Sequence, residues 1–191
     1  MTDDSSVSTT GRGAWIALGV VTLVALTLRL AYAHTLDLTG TINADAAEYA
    51  NYGWNLVHHG VLSRANPADA VPPPDSFRSL GLPFFVAGGF ALFPEDRFVR
   101  PLLYAHAVVG TLAVPLTFLL GRRALPATAA LVAAALTALS PHLVSLGGYL
   151  LTETWFTTLL LAFAWTTLRA LDRPSLLRAV TAGALGGCAY L

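Results

Sequence analysis

Three acids at two sites stand out in an otherwise apolar chain. Asp45 and Glu48 lie in Asn43-Ala44-Asp45-Ala46-Ala47-Glu48-Tyr49, just after the first long apolar stretch, and Glu153 lies in Leu151-Thr152-Glu153-Thr154, at the mouth of a later one. Carboxylates are costly beside hydrocarbon, so acids held at the entrances of apolar segments need a use or a partner. The use that suits them is proton transfer: a carboxylate within reach of a hydroxyl can accept its proton as the oxygen attacks. Asp45, Glu48, Tyr49 and Tyr52 recur at i, i+3, i+4 and i+7 and so share one face of a helix. Asp45 falls in the first turn, where the helix dipole favours a negative charge. Asn43 is placed to cap that helix and Gly60 to end it. A plainer reading stands beside this one. Asp45 would then only cap a helix lying on a bilayer, with Tyr49, Tyr52 and Trp54 as interfacial anchors. Glu153 has the same alternative, because it starts an apolar helix that Thr152 can cap.

The other polar candidates are few. Arg78, in Phe77-Arg78-Ser79-Leu80-Gly81-Leu82-Pro83, could grip a lipid phosphate, since a guanidinium fork matches phosphate oxygens. It could equally snorkel to a phospholipid headgroup. Arg29 lies near the end of the first apolar segment and needs a partner, for which carboxylates on the same side are the nearest candidates. His58, His59 and His142 could bring imidazole near the acids, and His106 is expected to pack or hydrogen-bond within its own segment. No H-x-x-x-H spacing marks a zinc site. A divalent metal held by the carboxylates and histidines without a signature motif stays open.

These residues must be positioned by elements suited to lipid. Hydrophobic residues make up 55% of the chain and charged residues 12%, with a mean hydropathy of +0.62. A soluble domain carries roughly twice that charged fraction, so the composition indicates an integral membrane protein. Eleven basic residues, all arginine, balance eleven acidic ones, which excludes the basic excess of a nucleic-acid binder. A single cysteine, Cys188, rules out an intramolecular disulfide.

Residues 14–34 read as a first membrane span, 101–121 as a second, 125–147 as a third and 152–171 as a fourth. Residues 175–191 begin a fifth that stops while still apolar, which makes the chain look like the N-terminal piece of something longer. Residues 1–13 are expected to form a disordered cytoplasmic tail. The stretch 80–93 is apolar but short and glycine-rich, which suits a re-entrant or juxtamembrane segment better than a crossing. Charge parity agrees with that choice. Arg122-Arg123 and the group Arg169, Arg173 and Arg178 should all be cytoplasmic. With the N-terminus also inside, residues 35–100 then form one large external loop containing an amphipathic helix over 45–59. Asp45, Glu48 and the turn before Glu153 all face outward.

In order, Leu28-Arg29-Leu30, Asp45-Ala-Ala-Glu48-Tyr49, Asn55-Leu56-Val57-His58-His59-Gly60, Arg78-Ser-Leu-Gly81-Leu-Pro83, Gly121-Arg122-Arg123, Ser140-Pro141-His142 and Gly148-Tyr-Leu-Leu-Thr152-Glu153 form a recognisable series. From about residue 15 onward this resembles the N-terminal part of GT-C-fold membrane glycosyltransferases. The nearest group is the bacterial and archaeal relatives of dolichyl-phosphate-mannose protein mannosyltransferase and of the lipid A aminoarabinose transferase. The resemblance implies an all-α polytopic fold, a GT-C-type N-terminal transmembrane module whose large first external loop carries juxtamembrane helices. It implies inverting transfer of a sugar from a polyprenyl-phosphate donor to a lipid, glycan or protein hydroxyl at the external face of the cell membrane. By the same resemblance Asp45 and Glu153 match the catalytic acids. Glu48, Tyr49, Arg78 and Arg29 are expected at the substrate. The competing expectation is a non-catalytic, truncated membrane protein that binds lipid or a partner subunit. A small transporter fits less well, because the ionisable residues gather at one face and leave the span centres apolar.

Overall fold

The computed structural model describes residues 11–38, 45–67 and 70–190. The tail 1–10, the cap position Asn43 and the terminal Leu191 lie outside the described residues. Within them the fold is all-helical. The helices are α1 (Arg12–Thr35), α2 (Asp45–His59), α3 (Gly81–Leu92), α4 (Val99–Thr111), α5 (Ala113–Gly121), α6 (Ala127–Leu139), α7 (Pro141–Leu146), α8 (Glu153–Asp172) and α9 (Leu176–Tyr190).

Two elements are long and apolar enough to cross a membrane: α1, with 24 residues, and the near-continuous pair α4–α5, Val99–Gly121, with 23. The pair is interrupted at Leu112 because Pro115 has no N–H for the carbonyl of Thr111, and the chain tightens with a bond from the Leu112 N–H to the Val109 carbonyl at 3.0 Å. α3, at 12 residues, is about 18 Å long and falls short of the ~30 Å hydrocarbon core. The run 125–147, read from sequence as one span, is two helices, α6 and α7. Proline at 141 pushes Ser140 into an extended conformation, and Ser140 then caps α7 through the Leu143 N–H at 3.4 Å.

Apolar side chains face outward along the helices. Ile16, Val20 and Leu23 on α1 and Val132, Leu136 and Leu139 on α6 are all more than half exposed. Apolar faces of that extent suit lipid better than water.

The interior falls into two clusters. Near one end, Leu18 and Ala25 of α1 meet Val114 and Phe118 of α5 and the alanine row Ala130, Ala134 and Ala138 of α6. Small residues let these backbones approach closely, as in other membrane helix pairs. At the other end, Ala33 of α1, Ala46 and Tyr49 of α2, Leu82 and Val86 of α3, Leu102 and Leu103 of α4, and Leu150 share a second core. That second core is the platform on which the chemistry-bearing residues stand.

Two arginines close the helix ends around it. Arg100 donates to the carbonyls of Ala33 and His34, both at 2.6 Å, and of Leu36 at 3.2 Å, so it satisfies the last turn of α1. Arg29 donates to Ala25, Ala138 and Thr137 carbonyls at 3.3, 3.2 and 3.2 Å. Its partner is therefore the open C-terminus of α6, not a carboxylate. The break at Ser140-Pro141 leaves those carbonyls without helical donors, and a cation belongs at that end of the dipole.

Candidate active site

The first turn of α2 carries Asp45 and Glu48 on one face, and the described parts of the following polar loop, 61–67 and 70–80, fold back across that face. Arg78, delivered by the loop, donates through Nε to Glu48 Oε2 at 2.6 Å and through its other arm to Asp45. Burial works to lower the Arg78 pKa, but the hydrogen bonds and charges of Glu48 and Asp45 outweigh it and hold the guanidinium above its ordinary value. The group is thus a permanent cation between two acids. Its carbon sits 5.3 Å from the Tyr49 ring centroid and 5.2 Å from that of Phe77. Tyr49 is buried beneath it, at 5% exposure. Arg64 completes the group, 3.7 Å from Glu48 Oε1 and 4.1 Å above the Phe77 ring. Two carboxylates therefore meet two guanidinium groups.

The loop keeps this shape because α2 supplies its hydrogen bonds. Asn55, fully buried, donates to the carbonyls of Ser63 and Ala65 at 2.9 and 3.0 Å, and Asn51 donates to Arg64 at 3.0 Å. The Tyr52 hydroxyl donates to Asp75 Oδ1, while Asp75 Oδ2 accepts the Arg64 N–H at 2.9 Å. The chain reverses at Gly60, whose φ of 65° is the left-handed cap that ends α2. Gly53 lets α3 lie directly on α2, since a Cβ there would stand 2.9 Å from the Ala87 backbone nitrogen. Asp75, Arg64 and Arg100 were not singled out from sequence. Asp75 had a local signal, the run Pro72-Pro73-Pro74 before it, but its partners are set by folding.

Glu153 begins α8 and is exposed. The turn before it reaches α1 because Gly148 packs against Tyr32 and Leu36. Glu153 lines a small recess with Arg29, Gly110, Thr154 and Thr158. Thr158 donates to the Val109 carbonyl at 3.2 Å. Among the described residues no ion pair joins Glu153 to Arg29, nor to the Arg78 group. The candidate residues thus form two sets: Asp45, Glu48, Tyr49 and Arg78 in one, Glu153 and Arg29 in the other.

Between them lies an apolar cavity of about 490 Å³. Its wall includes Ser79, Leu82 and Phe85 from the start of α3, and Thr152, Trp155 and Phe156 from the start of α8. Ser79 follows Arg78 and Thr152 precedes Glu153 in the chain, while the lining of the cavity itself carries no charged residue.

The histidines take other places. His58 and His59 stack or abut Trp54 at 4.0 and 5.4 Å, about 20 Å along α2 from Asp45. His58 Nε2 is 3.1 Å from Glu95. His106 is fully buried against Phe85, at 5.3 Å. Among the described residues no three of His, Cys, Asp and Glu converge where a metal ion could be held. The carboxylates of Asp45 and Glu48 instead spend their oxygens on arginine.

The family model described as dolichyl-phosphate-mannose-protein mannosyltransferase covers residues 78–191, well over half of the chain. It begins at Arg78 and includes Glu153, and leaves the first turn of α2 upstream. No curated protein and no solved structure gives a match.

Proposed function

This chain belongs to the dolichyl-phosphate-mannose-protein mannosyltransferase family of GT-C-type membrane glycosyltransferases, and on that premise we propose that it transfers a sugar from a polyprenyl-phosphate donor to an acceptor hydroxyl, with inversion, at the external membrane face. The observation that carries this reading is that the residue following Arg78 lines the apolar cavity. A guanidinium held by two carboxylates lies one residue along the chain from the wall of an apolar space of about 490 Å³. A lipid-linked sugar phosphate needs both features.

In the proposed reaction the acceptor oxygen attacks the anomeric carbon from the side opposite the phosphate. Asp45 accepts the acceptor proton, the new glycosidic bond forms, and the bond from the anomeric carbon to the phosphate oxygen breaks. The lipid phosphate leaves with the electron pair and an added negative charge, which Arg78 neutralises. The leaving group needs no proton, so a second acid catalyst is unnecessary. Glu48 holds Arg78 in register from behind, and Tyr49 supplies the surface under the guanidinium. Glu153, with Arg29 behind it, is assigned to the acceptor side of the cavity. In this account the membrane organisation is that of a multi-pass protein of the cell membrane, with residues 35–100 outside and α1, α4–α5, α6–α7, α8 and α9 in the bilayer.

A second reading has one observation in its favour: Asp45 and Glu48 are both neutralised by arginine. A module that binds lipid or a partner without catalysis could use the same arrangement as a structural clamp. Transfer of labelled sugar from a synthetic polyprenyl phosphate donor, measured in membranes with wild type and Asp45→Asn, separates the two. Loss of transfer with retained folding supports the enzyme, absence of transfer by wild type itself supports the clamp, and an unchanged rate would remove Asp45 as the base.

A further inference from the structure

The end of α8 opposite Glu153 carries a second charged site that the transfer reaction does not use. α8 has 20 residues, so its C-terminus lies about 30 Å from Glu153, on the order of one hydrocarbon thickness. There, the turn after α5 and the turn after α8 enclose a recess of about 200 Å³ lined by Arg123, Arg169, Asp172 and Arg173. Every lining side chain is charged, and three cations face one anion.

Asp172 is already engaged. Arg123 holds it with both arms, one bond at 2.6 Å, in a bidentate fork. Arg169 lies over the Trp165 ring at 5.3 Å, and neither Arg169 nor Arg173 has a carboxylate within ion-pair distance among the described residues. The Arg173 backbone is pinned, because its carbonyl accepts from Arg178 and the Arg178 N–H bonds the Ser175 hydroxyl at 3.3 Å. The recess therefore presents a net positive charge of two on a fixed turn. Directly beside it, Leu171, Leu176 and Leu177 are exposed at 71%, 81% and 76%.

We propose that this recess binds a phosphate-bearing anion, namely the headgroup of an anionic membrane lipid whose acyl chains lie on those leucines. A guanidinium pair matches phosphate oxygens, and free phosphate would be recognised by the same chemistry. The exposed leucines favour the lipid as its source, because they put the recess where acyl chains and their headgroups meet the protein. The site joins the α5 and α8 ends and is independent of the Asp45 group, so it stands or falls separately from the proposed transfer.

The test uses the full chain reconstituted in phosphatidylcholine with phosphatidylglycerol, and native mass spectrometry reads which lipid stays bound. Wild type is expected to retain phosphatidylglycerol in preference to phosphatidylcholine. R169Q/R173Q should lose that preference by roughly fivefold for each arginine removed. Asp172→Asn should raise it, since the competing carboxylate is gone and Arg123 is released. The opposite signs keep the test decisive if the double variant folds poorly, because R173Q alone and Asp172→Asn still move apart. Equal retention of the two lipids by wild type, or the same retention in all variants, would overturn the proposal. Inorganic phosphate is added to the phosphatidylcholine-only sample as a separate arm. A rise in Tm there as large as that given by phosphatidylglycerol would assign the recess to a free anion and overturn the lipid.

Discussion

Arg78 Nε stands 2.6 Å from Glu48 Oε2, across 30 residues of chain, and its other arm reaches Asp45 in the same helical turn. One loop arginine thereby ties two carboxylates that otherwise sit one above the other on α2. The fork is part-buried, and it defines where an incoming phosphate would have to compete or dock.

Replacing Arg78 should therefore separate activity from stability. Arg78→Gln is expected to lower the transfer rate by about 10²- to 10³-fold, the size seen when a donor to developing charge is removed. Its effect on folding should stay within about 1 kcal/mol, because partly exposed ion pairs contribute little. Arg78→Lys keeps the charge but loses the fork and should fall between wild type and glutamine. Initial rates and Tm on the same preparations check this.

Arg100 is expected to behave in the opposite way. It makes three charge-assisted bonds to the last carbonyls of α1, so Arg100→Leu should cost about 1.5–3 kcal/mol of stability. Transfer per folded molecule should change little. Thermal unfolding in detergent, followed by activity normalised to folded protein, measures both.

Gly53 permits the α2–α3 contact, and a methyl there would press on Val86 and the Ala87 backbone. Gly53→Ala should destabilise by about 1–3 kcal/mol through overpacking. Because α2 carries the acids, activity should fall along with stability, and a Gly53→Ala/Val86→Ala pair should recover only a part of both, since the Cβ at 86 also stays 2.9 Å away. Only part of the clash is relieved in that pair, since the backbone of Ala87 remains.

Asp172 gives a pH signature away from the active site. Its hydrogen bond to Arg123, with the charges of Arg123, Arg169 and Arg173, holds its pKa below the ordinary carboxylate value. A group whose folded pKa is depressed contributes stability above its unfolded pKa and loses it as pH falls through the folded value. Wild type should thus exceed Asp172→Asn in Tm by a constant amount above about pH 4, with the gap closing below it. A gap that persists at lower pH would contradict the assignment.

Some of this arrangement was legible in the residues and some was not. The period of Asp45, Glu48, Tyr49 and Tyr52, together with Gly60, marks α2 and its face, because helical spacing is a local property. Arg78 was visible as a charged residue at the start of an apolar segment. That it folds back onto Asp45 and Glu48 was not, since the path of the loop depends on Tyr52 gripping Asp75 and Asn55 gripping Ser63, contacts between residues far apart in sequence. Arg29 was read as seeking a carboxylate. It instead found the carbonyls of Thr137 and Ala138, exposed by a helix break that Ser140-Pro141 encodes but hydropathy alone passes over. The clamp role of Arg100 had no local signal, for its bonds go to a helix 64 or more residues earlier.

The most direct test of the central claim is the transfer rate of Asp45→Asn, measured with a polyprenyl phosphate sugar donor beside the Tm of the same sample. The amide keeps the shape and can still accept a bond from Arg78, but it cannot take the acceptor proton. The account predicts a fall of about 10²-fold or more in rate with Tm nearly unchanged. Transfer at the wild-type rate, with the variant folded, would contradict it.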